Sequence, residues 1–187
     1  MLLHFKQQDQ VIIDGIIFEV NASFDVILRI IDLLEENGYS PVAKVNTILK
    51  ALIGNDLSDK PFSERQEYME RILDIYVQMK EQTVYDRAGN PMPIPPKEYE
   101  SGAEYSYKED ADYIYAAFMQ TYHIDLIEEQ GKLHWFKFKA LLSGLPKDTM
   151  FSQIMQIRGW DPSDEKVKHN TRMKKLQDQY KLKGKGE

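Results

Sequence analysis

The chain of 187 residues has the length of one domain, or of one domain with a small helical appendage, and 42% of its residues are hydrophobic, enough to bury a core. It has no cysteine, which excludes disulfides, thiolate nucleophiles and cysteine-ligated metal centres and fits a reducing compartment. Its net charge is −6, but residues 163–187 hold 8 Lys and Arg against 4 Asp and Glu. Any nucleic-acid contact would have to involve this basic tail, because the acidic body repels phosphate.

The sequence carries no sign of a membrane or secreted protein. Met1–Gln10 (MLLHFKQQDQ) lacks the basic start and apolar stretch of a secretion signal. No apolar run reaches the roughly 20 residues that span a bilayer. We therefore expect a protein of the cytosol without a membrane partner.

Residues 1–83 predict a β-hairpin followed by three helices. Gln10–Val20 (QVIIDGIIFEV) has two β-branched runs around Asp14-Gly15, a dipeptide that favours the tight turn between antiparallel strands. Apolar residues at helical spacing then follow Ser23, which can cap a helix, and Gly38 can take the left-handed stop position. The predicted helices are Ser23–Asn37, Ser40–Gly54 with Ser-Pro at its start, and about Phe62–Lys80.

Residues 84–106 predict an extended connector. Four prolines lie within six residues, Pro91–Pro96, and proline lacks the amide donor that a continuing helix needs. Such a stretch can also dock into a proline-recognising groove, but a stiff spacer is the simpler interpretation.

Residues 107–160 predict a helical region, and residues 161–187 a basic helical tail. Tyr107–Tyr122 begins with acidic residues, which the helix dipole favours. Its expected buried stripe is Ala111, Ile114, Tyr115, Phe118 and Tyr122. Further expected features are a short turn of helix capped by Asp125, a break at Gly131, a helix over Lys132–Ser143, a short helix capped by Asp148 and ended by Gly159, and a last helix from Asp161-Pro162. The fold class is thus mainly α with a small N-terminal β-hairpin.

The polar residues give no clear catalytic or metal-binding constellation. The four histidines, His4, His123, His134 and His169, lack metal-ligand spacing. His134 has the chemistry of a general base, but a surface or core histidine is the simpler interpretation. The same holds for the carboxylates of Glu109, Asp110 and Asp112, which can bind a cation but are explained by helix-start electrostatics. Phosphate-binding and acyl-transfer motifs are absent, so we expect no enzyme, no cofactor, no metal and no small-molecule substrate.

Two apolar stripes are candidate protein-binding residues. The segment Gly131–Pro146 (GKLHWFKFKALLSGLP) is apolar over so much of a helix that it must be covered on several sides. Most of it is expected to be core, and exposed parts of Trp135, Phe138 and Leu142 are candidate contacts. The second candidate is the thin tail stripe of Met173, Leu176 and Tyr180. The other residues of this helix are mostly polar and are expected to face solvent. The tail has one aromatic residue for base stacking, so nucleic-acid binding is not expected.

The region from about Tyr107 to Arg158 resembles the bacteriophage "gene product fifteen" protein family. The stretches that carry the resemblance are EDADYIYAAFMQTYHIDL, KLHWFKFKALLSGLP and DTMFSQIMQIR. The resemblance implies a tail-module protein of siphophages of Gram-positive bacteria, encoded where tail assembly chaperones are usually found. It implies the tape-measure protein as a partner, with the tail-tube protein as a second candidate, in the host cytoplasm during assembly. It brings no catalytic residue and no cofactor.

The resemblance leaves two functions open. A tail assembly chaperone binds the tape-measure protein and is absent from the finished virion, whereas a structural component of the tail remains in it.

Overall fold

The structure, a computed structural model, describes residues 9–76, 105–161 and 171–185. It is mainly α with a small N-terminal β-hairpin, as predicted. Residues 84–104 of the predicted connector, His4, His169 and residues 162–170 at the predicted start of the tail helix lie outside the described residues. The elements are β1 (Gln10–Ile13), β2 (Ile16–Glu19), α1 (Phe24–Glu35), α2 (Pro41–Ile53), α3 (Phe62–Tyr76), α4 (Ala111–Tyr122), α5 (Trp135–Ser143), α6 (Met150–Arg158), α7 (Thr171–Gln179) and a 3-10 turn at Lys183–Lys185.

The hairpin forms where the sequence predicts it. Its strands are antiparallel, with Ile12 opposite Ile17. The turn residues Asp14 and Gly15 have φ of 51° and 80°, the backbone conformation that Asp-Gly adopts easily in such turns. Val11 and Ile13 point inward and are buried.

Capping residues explain both ends of α2 but not the ends of α1. The Ser40 hydroxyl oxygen accepts a hydrogen bond from the Ala43 amide at 3.2 Å, and Gly54 ends α2 with φ of 72°, both as predicted. The Ser23 hydroxyl instead donates to Asn21 Oδ1 at 2.8 Å, so it does not cap α1 with its side chain. Helix α1 ends at Glu36, in extended backbone, and the predicted left-handed Gly38 is wrong.

Several boundaries in the second half differ from prediction. Helix α4 starts at Ala111 rather than Tyr107, because Asp110 is the N-cap and its carboxylate accepts the Ser106 amide at 3.0 Å. Ala111 is exposed, and Ala117 takes its place in the buried stripe. Thr149 rather than Asp148 caps α6, since the Thr149 hydroxyl oxygen accepts the Ser152 amide.

At two places where the sequence predicts the start of a helix, the chain forms turns instead. Asp125 Oδ1 accepts the Ile127 amide at 2.9 Å, but the chain there forms turns rather than helix. Helix α5 starts three residues later than predicted, at Trp135, because the preceding His134 forms an isolated antiparallel β-bridge with Ser23. The predicted break at Gly131 is present, with φ of 71°.

The described residues form two compact units. The N-terminal unit contains the described residues up to Tyr76 together with Glu129–Ala140, and the C-terminal unit contains those from Tyr105 to Glu128 and from Leu141 onward. The sequence analysis predicted that residues 107–160 form one helical region. The difference is the segment 129–140, which we call the return segment and which belongs to the N-terminal unit.

Backbone and side-chain hydrogen bonds hold the return segment in the N-terminal unit. The Phe24 amide donates to the Leu133 carbonyl at 2.9 Å, and the Trp135 amide donates to the Ala22 carbonyl at 2.8 Å. The Trp135 indole Nε1 donates to the Tyr76 carbonyl, the last described residue of α3, at 2.7 Å. Phe138 stacks on Phe24 with ring centroids 5.0 Å apart. The return segment therefore completes the core on which the hairpin and α1 to α3 pack.

The C-terminal unit is built on α4, α6 and α7. Helix α6 packs against both α4 and α7. The Tyr122 hydroxyl donates to the Leu141 carbonyl at 2.9 Å, which ties the end of α4 to the last turn of α5. The core residues of this unit include Ile114, Ala117, Phe118, Phe151 and Ile154.

Replacing Trp135 by Phe tests the role of the return segment. The variant loses the indole donor, leaves the Tyr76 carbonyl without its bond and leaves a small cavity, so we expect the free energy of unfolding to fall by about 2–4 kcal/mol. Urea denaturation followed by circular dichroism measures this. Trp160→Phe is the matched control, because Trp160 is half-buried, and we expect it to lose less than half as much. Equal losses would show that the Trp135 indole has no special part in the core.

Candidate protein-interaction surfaces

Trp135, Phe138 and Leu142 are core residues. Their relative exposures are 2%, 0% and 6%, so the exposed parts expected from the sequence do not exist. The physical reason is that the return segment inserts into the N-terminal unit, where Phe24 and the Tyr76 carbonyl cover Phe138 and Trp135. These residues are too buried to form a contact surface, and the expectation that they do is corrected.

The tail stripe is half-buried on its own unit. Met173, Leu176 and Tyr180 all have intermediate exposure. The Tyr180 ring meets that of Tyr113 edge-on, with centroids 6.5 Å apart. Helix α7 is anchored further by Gln177, whose amide donates to the carbonyls of Arg158 at 3.0 Å and Trp160 at 2.9 Å. A binding role for this stripe stays a prediction.

The acidic cluster at the start of α4 contains a buried ion pair. Asp110 is 0% exposed, and its carboxylate accepts two hydrogen bonds from the Arg158 guanidinium, at 2.7 and 2.8 Å. Arg158 Nε also donates to the Tyr180 carbonyl at 2.6 Å. One arginine of α6 thus links the start of α4 to the end of α7. Helix-start electrostatics alone did not predict this pair, because nothing in the sequence marks Arg158 as the partner.

The neighbouring Glu109 holds the chain after α7. Its two carboxylate oxygens accept the backbone amides of Lys183 at 2.8 Å and Gly184 at 3.2 Å. The cluster therefore has structural partners inside the C-terminal unit.

Ser23, His134 and Asp9 lie together in the N-terminal unit but do not form a catalytic triad. His134 Nε2 lies 2.8 Å from Asp9 Oδ1, and His134 Nδ1 accepts the Phe136 amide at 3.0 Å. The Ser23 hydroxyl is bonded to Asn21. Both ring nitrogens and the hydroxyl are thus engaged elsewhere, whereas a triad needs one nitrogen free to take the hydroxyl proton. The arrangement fixes the return segment beside the hairpin.

Two apolar surfaces of the N-terminal unit are open. The first, the isoleucine face, is formed by Ile12 and Ile17, which are 69% and 61% exposed and directly opposite each other. The second, the α1–α2 groove, lies between these two helices. Its lining residues are Asn21, Val26, Arg29, Ile30, Leu33, Thr47, Ile48 and Ala51.

The composition of the two strands is the sequence signal that could have predicted the isoleucine face. Six of the eight strand residues are apolar, and strands that are apolar on both sides are typically covered on both sides. The α1–α2 groove had no such signal, because it depends on how closely two amphipathic helices approach.

Comparison with known families decides the class of the protein. The family model described as Bacteriophage Gp15 protein matches residues 7–182, nearly the whole chain. The chain belongs to the bacteriophage Gp15 family. It is therefore a phage protein, of a family with a structural or morphogenetic role. No curated protein and no solved structure matches the chain.

Across residues 9–76, 105–161 and 171–185, no helix combines the length and hydrophobicity needed to cross a membrane. Within the same described ranges, no group of three or more His, Asp or Glu side chains is placed to hold a metal ion.

Breaking the buried ion pair should be costly. Arg158→Met leaves the Asp110 carboxylate buried without its partner, and we expect a loss of about 3–5 kcal/mol in the free energy of unfolding. Limited trypsin digestion should also cut the tail faster, because Tyr180 loses its anchor. The matched control is Arg29→Met, which removes an ion pair with Asp25 from an arginine side chain that is 73% exposed and should cost less than about 1 kcal/mol. Similar losses in both variants would contradict a structural role for the pair.

Tyr76 should make the stability of the N-terminal unit sensitive to alkali. Burial raises its pKa to about 12, and the Asp9 carboxylate adds to the rise. An unfolded tyrosine ionises near pH 10, so the contribution is complete below about pH 10 and is lost as the pH rises towards 12. We expect Tyr76→Phe to lose about 1–2 kcal/mol less than the wild type between pH 9 and pH 11.5 in urea titrations. The exposed Tyr39→Phe serves as control, and an identical pH dependence for wild type and Tyr76→Phe would refute the prediction.

Proposed function

We propose that this Gp15-family protein is a tail assembly chaperone, and that the α1–α2 groove binds an apolar helical segment of the tape-measure protein. The family supports a phage structural or morphogenetic role. The observation that carries the finer proposal is the open apolar groove between α1 and α2. On this proposal the protein acts in the host cytoplasm by binding other proteins, without catalysis and without a cofactor.

The groove has an apolar floor between α1 and α2. Val26, Ile30 and Ile48 are nearly fully buried yet line the groove. Thr47 and Ala51, one turn apart on α2, form a low wall of small exposed residues. Its volume of about 310 Å³ leaves room for large side chains of a partner. Small walls above an aliphatic floor suit the apolar face of a helix, which inserts side chains at positions three and four apart.

Further exposed apolar side chains lie at the end of α1, at the start of α2 and in the turn between them. Leu34, Tyr39 and Val42 are 41%, 49% and 46% exposed. Helix α2 is held against the end of α1 there, since Lys44 Nζ donates to the Leu34 carbonyl at 3.1 Å. The three side chains are thus presented on an ordered turn, as binding surfaces on rigid scaffolds are.

The charge of the chain agrees with a holding function. A chaperone must keep an apolar partner in solution, and a net charge well away from zero opposes aggregation of the complex. The chain has a net charge of −6, with the excess of acidic residues in its body.

Co-expression with the tape-measure protein of the same phage tests the proposal. We expect the tape-measure protein to become soluble and to co-purify with the wild-type chain. Thr47→Lys with Ala51→Lys, at the exposed wall of the groove, should reduce the recovered tape-measure protein by about tenfold or more, because charges would enter an apolar contact. The matched control is Met150→Lys with Ile127→Lys, two side chains of the C-terminal unit that are 40% and 65% exposed.

Two outcomes would count against the proposal. Equal loss in the control would mean that the effect is general destabilisation rather than loss of the surface. A tape-measure protein that stays insoluble, together with detection of this chain in purified virions by mass spectrometry, would favour a structural component of the tail.

A further inference from the structure

The hairpin of the N-terminal unit leaves an apolar face uncovered. Ile12 and Ile17 are 69% and 61% exposed and form a directly opposed pair, whereas Val11 and Ile13 on the other side are 7% and 1% exposed. A hairpin with one solvated side normally alternates apolar and polar residues. Here the outer side carries two β-branched residues at its centre, which water solvates poorly.

The edges of the hairpin are open as well. Each strand pairs only with the other among the described residues. Beyond their own pairing, the strand residues make no backbone hydrogen bond to another described residue. An open strand edge offers a row of amides and carbonyls to an added strand. An extended chain fits such an edge, whereas a helix leaves those groups unsatisfied.

Charges flank the face at both ends of β2. Glu19 is exposed at one end, and the Asp14 side chain, 57% exposed, lies in the turn at the other. Arg71 pairs with Asp14 at 3.2 Å and with Glu67 at 2.6 Å, so one cation is shared by two carboxylates. The surroundings of the face keep an excess of negative charge.

We propose that the isoleucine face is a docking site for an extended protein segment that has alternating apolar residues and a Lys or Arg at each end. The segment adds to the edge of β2, places its apolar side chains beside Ile17, and brings its basic ends to Glu19 and Asp14. Glu19 is the last residue of β2 and Asp14 lies in the turn that precedes this strand, so the two carboxylates lie beyond opposite ends of its apolar residues. The same negative charge opposes a second copy of this chain as the occupant. This site is separate from the α1–α2 groove and does not depend on the chaperone proposal.

A pair of peptides tests the charge and the apolar pattern together. The probe is the blocked hexapeptide Lys-Thr-Ile-Thr-Ile-Lys, and its counterpart is Glu-Thr-Ile-Thr-Ile-Glu. Each is titrated into the full-length, 15N-labelled chain at low salt. We expect the amide signals of residues 10–19 to shift with the basic peptide, and the acidic peptide to bind at least about tenfold more weakly.

Matched variants locate the site. Ile12→Thr with Ile17→Thr keeps β-branched residues in the strands, so the hairpin should persist, but binding of the basic peptide should weaken by about tenfold or more. Ile127→Thr, which changes a side chain of similar exposure, 65%, in the other unit, should leave binding unchanged. Glu19→Lys should remove most of the preference between the two peptides and leaves both isoleucines in place, so it decides the matter if the double variant loses its hairpin.

Several results would overturn the proposal. One is equal binding of the two peptides, and another is an equal effect of Ile127→Thr. A third is a shift of the residue 10–19 signals when the free protein alone is concentrated, accompanied by dimers in analytical ultracentrifugation, since a second copy would then occupy the face. The absence of any shift in residues 10–19 with either peptide would also refute it.

Discussion

The N-terminal unit depends on a segment that comes back to it from far along the chain. Gly131, with φ of 71°, turns the chain, and its amide donates to the Asp25 carboxylate at 2.8 Å. Burial alone would raise the pKa of Asp25, but the hydrogen bond from the Gly131 amide and the charge of Arg29 outweigh it and lower that pKa. A charged Asp25 therefore fixes the turn, and the β-bridge between Ser23 and His134 follows directly after it.

This closure sets the order in which the unit can become complete. The contact between Asp25 and Gly131 joins residues 106 positions apart, and closing so long a loop costs conformational entropy that only the contacts behind it offset. Those contacts are the Trp135 indole bond to Tyr76 and the stacking of Phe138 on Phe24. A chain that ends before residue 129 would lack them and would leave the core of the hairpin and α1 to α3 unfinished. The aromatic residues that carry the family resemblance are thus explained by folding.

The parts of the fold that local chemistry determines were predictable. Asp14-Gly15 fixed the hairpin turn, and Ser40, Pro41 and Gly54 fixed both ends of α2, because each acts on residues within one turn. The partners of Trp135 and Asp110 were not predictable, since Tyr76 is 59 residues and Arg158 is 48 residues away. Trp135, Phe138 and Leu142 were predicted as candidate contacts for the same reason. The sequence of an apolar helix is the same whether residues of its own chain or residues of a partner bury it. The isoleucine face and the α1–α2 groove are both aliphatic. Only the isoleucine face could have been predicted from the local sequence, because its two strands are apolar on both sides.

The Asp110–Arg158 pair determines which side of the tail faces outward. A buried ion pair adds little stability compared with well-packed apolar residues, but it holds its partners in one arrangement. Arg158 also donates to the Tyr180 carbonyl, and Glu109 accepts the amides of Lys183 and Gly184, so the end of α7 is fixed at two points. Met173, Leu176 and Tyr180 are half-covered in this arrangement, while Arg172, Lys174 and Lys175 are exposed. The C-terminal unit therefore presents a basic helical surface along α7, whereas the isoleucine face and the α1–α2 groove of the N-terminal unit are aliphatic.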